Sequence, residues 1–161
     1  MDTRLDLHRS RLAAQFTRRL IAAAQVVGES PLPETVQELV RIRASQINGC
    51  GFCTDMHTKD ALAAGETQQR LNLVAAWRDA AVFSEAERAA LALAEEGTRI
   101  ADAATGVSDE AWQAARKHFD DEQLAALIAE IALINAWNRL NVIAGTPAGS
   151  YEPGQFASLG Q

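Results

Sequence analysis

Cysteine is scarce in this sequence, which contains only Cys50 and Cys53. A chain of 161 residues can bury a hydrophobic core without disulfide or metal cross-links, so these two thiols are not needed for stability. We expect the chain to work in a reducing compartment, where two cysteines three residues apart indicate catalysis or metal binding and not a structural disulfide.

Basic charge and long apolar runs are also lacking. The 15 Lys and Arg residues are outnumbered by 21 Asp and Glu residues, which gives a formal net charge of -6. Nucleic-acid binding would need a concentrated basic face, and none is visible in the sequence. No apolar run approaches the roughly 20 residues of a membrane span. We therefore expect neither a nucleic acid nor a membrane to be a partner.

The sequence lacks a convincing export signal as well. Arg18 and Arg19 precede the apolar stretch LIAAAQVVG, which at first resembles a twin-arginine signal. That stretch is short, Gln25 and Glu29 interrupt or close it, and no small-residue cleavage site follows. This pattern predicts a mature cytoplasmic protein.

Strand-like alternation is nearly absent, whereas apolar residues recur three and four positions apart throughout the chain. This periodicity predicts an all-α fold of six or seven helices, and nothing repeats strongly enough to indicate a repeat array. We predict a single domain over residues 1–161, with its core at about 34–143 and an irregular tail from about 145. Helices are predicted at about 9–27, 34–47, 50–65 and 120–143, with further starts at Thr67, Ser84 and Ser108.

The last predicted helix carries two asparagines, Asn135 and Asn138, on an otherwise apolar stripe. Buried amides need hydrogen-bond partners. We therefore expect these side chains to bond to backbone or to polar groups across a helix or subunit interface, in preference to a direct role in a site.

Cys50, Cys53 and His57 share one face of a helix if that helix begins at Gly49 or Cys50. In its first turn, unpaired backbone N–H groups and the helix dipole favour a thiolate. The two sulfurs can also close a disulfide, so the pair can be oxidised and reduced repeatedly. The dipole favours Cys50 as the reactive thiol, whereas the histidine four residues away favours Cys53, and we give the histidine more weight.

Glu38 is a further candidate site residue. If the helices on either side of Asn48 and Gly49 form an antiparallel hairpin, Glu38 lies opposite Lys59, within a turn of His57. A carboxylate near that imidazole can fix its tautomer and accept its proton. The apolar neighbours of Glu38 in the sequence imply partial burial, which we expect to raise its pKa toward that of a working base.

Two plainer interpretations stand beside the redox one. Zinc could be bound by Cys50, Cys53 and His57, with Glu38 or water as the fourth ligand. Two observations argue against a zinc site: the sequence has no second cysteine pair, and three ligands on one helical stripe are crowded for tetrahedral geometry. The cysteines could also be ordinary buried side chains. The spacing of the pair to both Glu38 and His57 favours a redox site over either.

The pattern of Glu38, eleven residues, Cys50-Gly-Phe-Cys53, three residues and His57 resembles the signature of the AhpD-like alkylhydroperoxidase family, within the carboxymuconolactone decarboxylase superfamily. The segments RIRASQINGC, MHTKDALAAGET and INAWNRL extend this resemblance over most of residues 34–143. The resemblance implies an all-helical fold, assembly into trimers or hexamers, and a peroxide-reducing dithiol centre. We expect neither a cofactor nor a bound metal. An Ala-rich apolar surface also favours a homo-oligomer.

Carried onto this chain, the resemblance makes Cys53 the thiol that attacks peroxide, Cys50 the resolving thiol, His57 the proton relay and Glu38 the base. It also implies an external dithiol reductant, such as a dihydrolipoyl or thioredoxin-like protein. The chain departs from the family pattern at Phe52, where the well-studied members have a histidine.

The superfamily's lactone decarboxylases generally lack the cysteine pair, which argues against their reaction here. A redox sensor or interaction module that uses the same disulfide without turnover is the alternative from another functional class.

Overall fold

A computed structural model of the chain describes residues 3–7, 9–103 and 105–156. Within these residues there are seven α-helices, one short 3₁₀ helix and no β-strand, which confirms the all-α prediction. The α-helices are α1 Arg11–Gly28, α2 Glu34–Ile47, α3 Gly51–Ala63, α4 Gln68–Leu73, α5 Glu85–Thr98, α6 Asp109–Arg116 and α7 Asp121–Ala144; the 3₁₀ helix is Val74–Asp79.

Polar side chains fix where several helices begin. The Ser84 hydroxyl accepts the backbone N–H of Glu87, whose carboxylate accepts the N–H of Ser84 in return, and Asp120 and Gln123 form the same capping box at α7. Each arrangement satisfies two backbone donors that lack helical partners. Gly145, with φ of 70°, ends α7 in the left-handed conformation that glycine adopts without strain.

Helix α2 lies at the centre of the fold, and its most extensive contacts are with α3, α5 and α7. One apolar cluster, around Val40 and Leu127, joins α2 to α5, α6 and α7. A second cluster, around Ile42 and Trp77, joins α2 to the 3₁₀ helix and α5. The helix that carries Glu38 is thus held on several sides, which limits how far that side chain can move.

The fourth predicted helix is α-helical only as far as Leu73 and continues as the 3₁₀ helix. The Arg88 guanidinium on α5 donates to the carbonyl of Trp77 at 2.9 Å and to that of Ala80 at 3.0 Å. A side chain of another helix therefore satisfies carbonyls that a longer α-helix would have bonded internally.

Some apolar side chains of α1 and α7 face outward. Leu12 and Phe16 of α1 are 78% and 49% exposed, and Ile128 of α7 is 52% exposed. Exposed apolar side chains of this kind are consistent with the homo-oligomer expected from the sequence, which stays a prediction. None of the helices in the described ranges combines the length and the apolar character that a membrane crossing requires.

The two asparagines of α7 are part of a network between helices, as predicted. The Asn48 amide at the end of α2 donates to Asn135 Oδ1 at 2.9 Å and to Asn138 Oδ1 at 2.8 Å. Asn138 in turn donates to Ser45 Oγ at 3.0 Å, and Asn135 donates to Thr98 Oγ1 at 3.1 Å. The network ties α7 to α2 and α5 beside the turn that leads into α3.

Replacing Asn48 with alanine is expected to lower the free energy of unfolding by about 1–3 kcal/mol, the cost of a buried polar group left unpaired. Asn138 is fully buried at 0% exposure, so water cannot replace the lost donor. Urea unfolding measures the change. The matched control is Asn72→Ala, because Asn72 is exposed and its side chain accepts a hydrogen bond from Gln68 at the surface. Equal unfolding midpoints for both variants would show that the network adds no net stability.

Candidate active site

The two cysteines lie where α3 begins. Gly49, with φ of 65°, completes the turn from α2, and Cys50 is the N-cap of α3. The Cys50 sulfur accepts the backbone N–H of Cys53 at 3.3 Å. A disulfide joins the two residues, with their Cα atoms 5.4 Å apart. The structure thus places the pair in the first turn of a helix within a hairpin, as the spacing predicted.

The disulfide is buried, since Cys50 and Cys53 are each 1% exposed. They pack with Ala44 of α2 and Ile134 of α7 in a small apolar cluster. One polar group reaches them from α7: Asn141 Nδ2 donates to the Cys53 sulfur at 3.6 Å. Sequence reasoning missed this contact, although the INAWNRLN stretch contains three asparagines and only the first two were considered.

His57 and Glu38 meet across the α2–α3 hairpin. His57 Nδ1 lies 3.0 Å from Glu38 Oε2, and both side chains are 12% exposed. An ionised carboxylate can only accept, so the proton of this hydrogen bond is on Nδ1 and the lone pair of a neutral His57 is on Nε2. The structure therefore brings together the histidine and the carboxylate that the hairpin argument placed near one another.

A cation holds the other oxygen of Glu38. Arg41 Nη1 donates to Glu38 Oε1 at 2.5 Å, while its Nε and Nη2 donate to the two oxygens of Glu130 on α7 at 2.9 and 2.7 Å. We call the series His57, Glu38, Arg41 and Glu130 the charged relay. Sequence reasoning missed both Arg41 and Glu130, although Glu130 is a lone carboxylate within the apolar stretch LAALIAEIALI and could have been found there.

The pKa of Glu38 is lowered, which contradicts the sequence-based expectation. Burial alone would raise this pKa, but the hydrogen bonds and positive charges of His57 and Arg41 outweigh it. The expectation was wrong because it considered the burial of Glu38 and left out the hydrogen bonds and positive charges of His57 and Arg41. Glu38 is therefore a carboxylate at neutral pH.

Acid should destabilise the protein through Glu38 and through Glu95 of α5. Burial would raise the pKa of Glu95, but the side chains of Arg78, Trp77 and Arg43 lower it instead. A carboxylate with a lowered folded-state pKa contributes stability above its unfolded value, here 4.5, and loses it as the pH falls through the folded value.

We therefore expect the free energy of unfolding to decline as the pH drops below 4.5. Urea unfolding at a series of pH values measures this decline, which should be shallower in Glu38→Gln because one titrating group is lost. An acid dependence identical in wild type and variant would contradict this assignment.

The chain beyond α7 returns to α3. We call residues 146–156 the tail; they contain no helix or strand, as predicted, while 157–161 lie outside the described residues. The Gly149 N–H donates to Asp55 Oδ2 at 2.9 Å, and Lys59 Nζ donates to the Tyr151 carbonyl at 2.8 Å. The Tyr151 hydroxyl lies 2.8 Å from Asp60 Oδ1. Although irregular, the tail is therefore fastened along α3.

Phe52, the position that departs from the family pattern, packs against the tail. Its ring centroid is 6.5 Å from that of Tyr151, edge to face, and 6.3 Å from that of Phe156. Beside it, a Cβ placed on Gly51 would lie 3.3 Å from the Cβ of Ala148, so the tail approaches the cysteine turn closely. The aromatic residue between the cysteines thus contacts the tail beside the turn that holds them.

Within 3–7, 9–103 and 105–156, no cluster of three or more His, Cys, Asp and Glu side chains is arranged to hold a metal ion. In this structure the sulfurs that the zinc interpretation needed are bonded to each other.

The sequence of the chain matches that of a known protein family. The sequence profile of the carboxymuconolactone decarboxylase family matches residues 13–96, a stretch that includes Glu38, Cys50, Cys53 and His57. The chain belongs to this family, and the resemblance found in its sequence is confirmed.

Three relatives show how close the likeness is. The chain is 43% identical over 122 residues to the uncharacterized protein YdfG of Bacillus subtilis, covering 76% of this chain and 82% of YdfG. A solved structure from Agrobacterium tumefaciens has 34% identity to the chain and a TM-score of 0.85, and the match covers 93% of this chain and 100% of that one. The protein in that structure is of unknown function and is provisionally described as the antioxidant defence protein AhpD. The apo debrominase Bmp8 has a TM-score of 0.74 at 18% identity, covering 86% and 72%, and shares the fold alone.

Membership of this family, with an AhpD-like fold and a Cys-x-x-Cys disulfide, is consistent with peroxidase-like oxidoreductase chemistry.

Proposed function

We propose that the protein is a thiol-dependent peroxidase, which reduces hydrogen peroxide or organic hydroperoxides while Cys50 and Cys53 cycle between dithiol and disulfide. The observation that supports this most is the disulfide in the first turn of α3, one helical turn from a histidine that is hydrogen-bonded to an ionised carboxylate. A thiol, a base and a group that orients the base are the components of an activated nucleophile.

The first half-reaction begins from the reduced pair. His57 Nε2 takes the proton of the Cys53 thiol, and the thiolate attacks one oxygen of the peroxide. The O–O bond breaks, and its electron pair leaves with the second oxygen, which takes the proton from His57 and departs as an alcohol or water. Cys53 is oxidised to a sulfenic acid, and the peroxide is reduced by two electrons.

The second half-reaction returns the enzyme to its starting state. The Cys50 sulfur attacks the sulfenic sulfur, the S–O bond breaks, and hydroxide leaves as water with the Cys50 proton. The product is the Cys50–Cys53 disulfide of the structure. An external dithiol then exchanges with this disulfide and is itself oxidised. By the family resemblance, this donor is a dihydrolipoyl or thioredoxin-like protein.

One spacing and one contact favour Cys53 over Cys50 as the peroxidatic thiol. His57 is four residues, one helical turn, from Cys53, and the Asn141 amide donates to the Cys53 sulfur. The Cys50 sulfur instead accepts a backbone N–H at the helix N-cap. In this proposal Glu38 holds a negative charge beside His57 and stabilises the imidazolium, because its lowered pKa disfavours proton uptake.

A redox sensor is the second candidate function, and the tail is the observation that favours it. The tail packs on Phe52, between the two cysteines, and lies against Gly51, so a change in the oxidation state could alter the tail and any partner that contacts it. In that case the protein would react with peroxide without repeated turnover.

Repeated turnover distinguishes the two candidates. Reduced protein is mixed with excess cumene hydroperoxide and with dithiothreitol, dihydrolipoamide or thioredoxin, and peroxide consumption is followed. The peroxidase proposal expects many equivalents of peroxide to be consumed per protein with at least one donor. A reaction that stops after one equivalent with every donor would refute the peroxidase proposal and support the sensor.

A further inference from the structure

Arg41 is a buried cation that contacts the proposed site without contacting the cysteines. Its side chain is 16% exposed, and all three of its nitrogens donate. Beyond the bonds of the charged relay, Nη2 also donates to Gln37 Oε1 at 3.0 Å. A buried guanidinium needs such partners, because removing a charge from water is costly unless it is paired and hydrogen-bonded.

Arg41 is itself held in place from α7. Glu130 is 4% exposed and accepts two parallel hydrogen bonds from Nε and Nη2. This bidentate geometry fixes the plane of the guanidinium. The third nitrogen, Nη1, therefore has a fixed position, and the Glu38 oxygen that it holds has one too.

Each carboxylate oxygen of Glu38 is hydrogen-bonded to a different side chain. Oε1 faces Arg41 and Oε2 faces His57. The terminal torsion of a glutamate is soft, so a carboxylate held at one oxygen only can rotate. Holding Oε1 on the guanidinium leaves Oε2 in the position that accepts the Nδ1 proton of His57.

We propose that Arg41, anchored by Glu130, is a positioning residue that orients Glu38 toward His57 and so fixes the tautomer whose Nε2 exchanges a proton with Cys53. This inference rests on the proposed function for its catalytic meaning. It goes beyond that function in assigning roles to two residues on α2 and α7 that contact neither the peroxide nor the sulfurs.

The charges of the relay agree with this role. Glu38 and Arg41 come from α2, His57 from α3 and Glu130 from α7. Arg41 balances one of the two carboxylates, so the four groups carry one net negative charge when His57 is neutral and none when it is protonated. The cluster therefore favours a transient imidazolium, the state that follows removal of the thiol proton.

The same helix offers a matched control. Arg43 is as buried as Arg41, at 13% exposure, and it also pairs with a buried carboxylate, Glu95 of α5. Its other side-chain contact is with Gln46, so its bonds lie away from Glu38 and His57. Arg43→Gln therefore removes a buried arginine and its ion pair from α2 without changing the relay, while Glu95 keeps Arg78 and Trp77 as partners.

The experiment compares Arg41→Gln, Glu130→Gln and Arg43→Gln by two measurements on reduced protein. The first is the rate constant for peroxide reduction; we expect Arg41→Gln to lower it about 10- to 100-fold, the usual effect of losing an orienting partner of a reactive side chain. We expect a smaller loss in the same direction for Glu130→Gln, and Arg43→Gln within about threefold of wild type. Arg41→Lys should recover only part of the rate, because one ammonium cannot form the planar fork.

The second measurement is the imidazole ¹⁵N–¹H spectrum, which reports the tautomer of His57. The sequence has only three histidines, so assignment with a His57→Gln sample is direct. We expect wild type and Arg43→Gln to show the tautomer protonated on Nδ1, and Arg41→Gln to show a mixture.

The two measurements separate failure of this inference from failure of the proposed function. If Arg41→Gln and Arg43→Gln give the same His57 spectrum as wild type, the positioning role is overturned even where peroxide turnover is intact. If wild type shows no turnover but Arg41→Gln alone changes the tautomer, the positioning role stands and the peroxidase proposal fails. Should Arg41→Gln not fold, the spectrum of Glu130→Gln decides by the same criterion.

Discussion

Cys53→Ser is expected to abolish peroxide reduction, with a loss in kcat/KM of at least about a thousandfold, because a serine hydroxyl is not ionised at neutral pH and cannot replace a thiolate nucleophile. Cys50→Ser should behave differently: it should still react once with peroxide, but the sulfenic acid on Cys53 then has no partner thiol. Peroxide consumption with a dithiol donor measures the first effect, and trapping of the sulfenic acid followed by mass spectrometry measures the second.

The pair of variants also tests which thiol attacks. The N-cap position of Cys50 favours a thiolate at that residue, whereas His57 and Asn141 favour Cys53. If Cys50→Ser forms no sulfenic acid that can be trapped while Cys53→Ser still forms it, Cys50 is the thiol that attacks peroxide and Cys53 is the resolving thiol.

His57→Gln is expected to lower the rate of peroxide reduction by about 10²- to 10⁴-fold at neutral pH, the range over which a positioned general base contributes. The glutamine can still meet Glu38, but it cannot take the thiol proton. A free cysteine has a pKa of about 8.5, so above that pH the thiol ionises without help and the defect of the variant should narrow.

Stopped-flow measurement of the peroxide reaction across pH tests the dependence on His57. His118→Gln is the control, because His118 is exposed and follows α6 far from the cysteines in the sequence. A defect that stays constant from neutral to alkaline pH would mean that His57 acts through the structure and not through proton transfer.

The parts of this molecule that sequence reasoning predicted are those governed by nearby residues. The capping box at Ser84 and the turn glycine at position 49 depend on a few consecutive side chains. The contact between His57 and Glu38 extends over 19 residues, but an antiparallel hairpin fixes its register, so the spacing was enough. The roles of these residues in a reaction stay a prediction.

The missed parts depend on how α7 packs against the hairpin. Arg41 and Glu130 are 89 residues apart, and Asn141 and Cys53 are 88 apart. Apolar periodicity indicates that α7 is buried but not which of its turns meets α2, so neither contact follows from a pattern. The error about the pKa of Glu38 has a different origin: both lowering groups, His57 and Arg41, lie on the hairpin itself, and the expectation considered burial without them.

The tail shows another limit of sequence patterns. Its lack of periodicity correctly indicated the absence of a helix, but hydrogen bonds such as that from Tyr151 to Asp60 leave no such pattern. The same holds for Phe52, which the sequence marked as a departure from a motif and the structure places against the tail.

The charged relay joins the α2–α3 hairpin to α7, which is far from the hairpin in the chain. Separating α7 from α2 would leave Arg41 and Glu130 without their main partners in the protein interior, and it would also expose the apolar side chains around Leu127. We therefore expect local opening of this region to cost more free energy than detachment of the tail, which is attached by a small set of polar and aromatic contacts. Amide protons around the charged relay should accordingly exchange with solvent more slowly than those of the tail, which would place the proposed chemistry in a region that seldom opens.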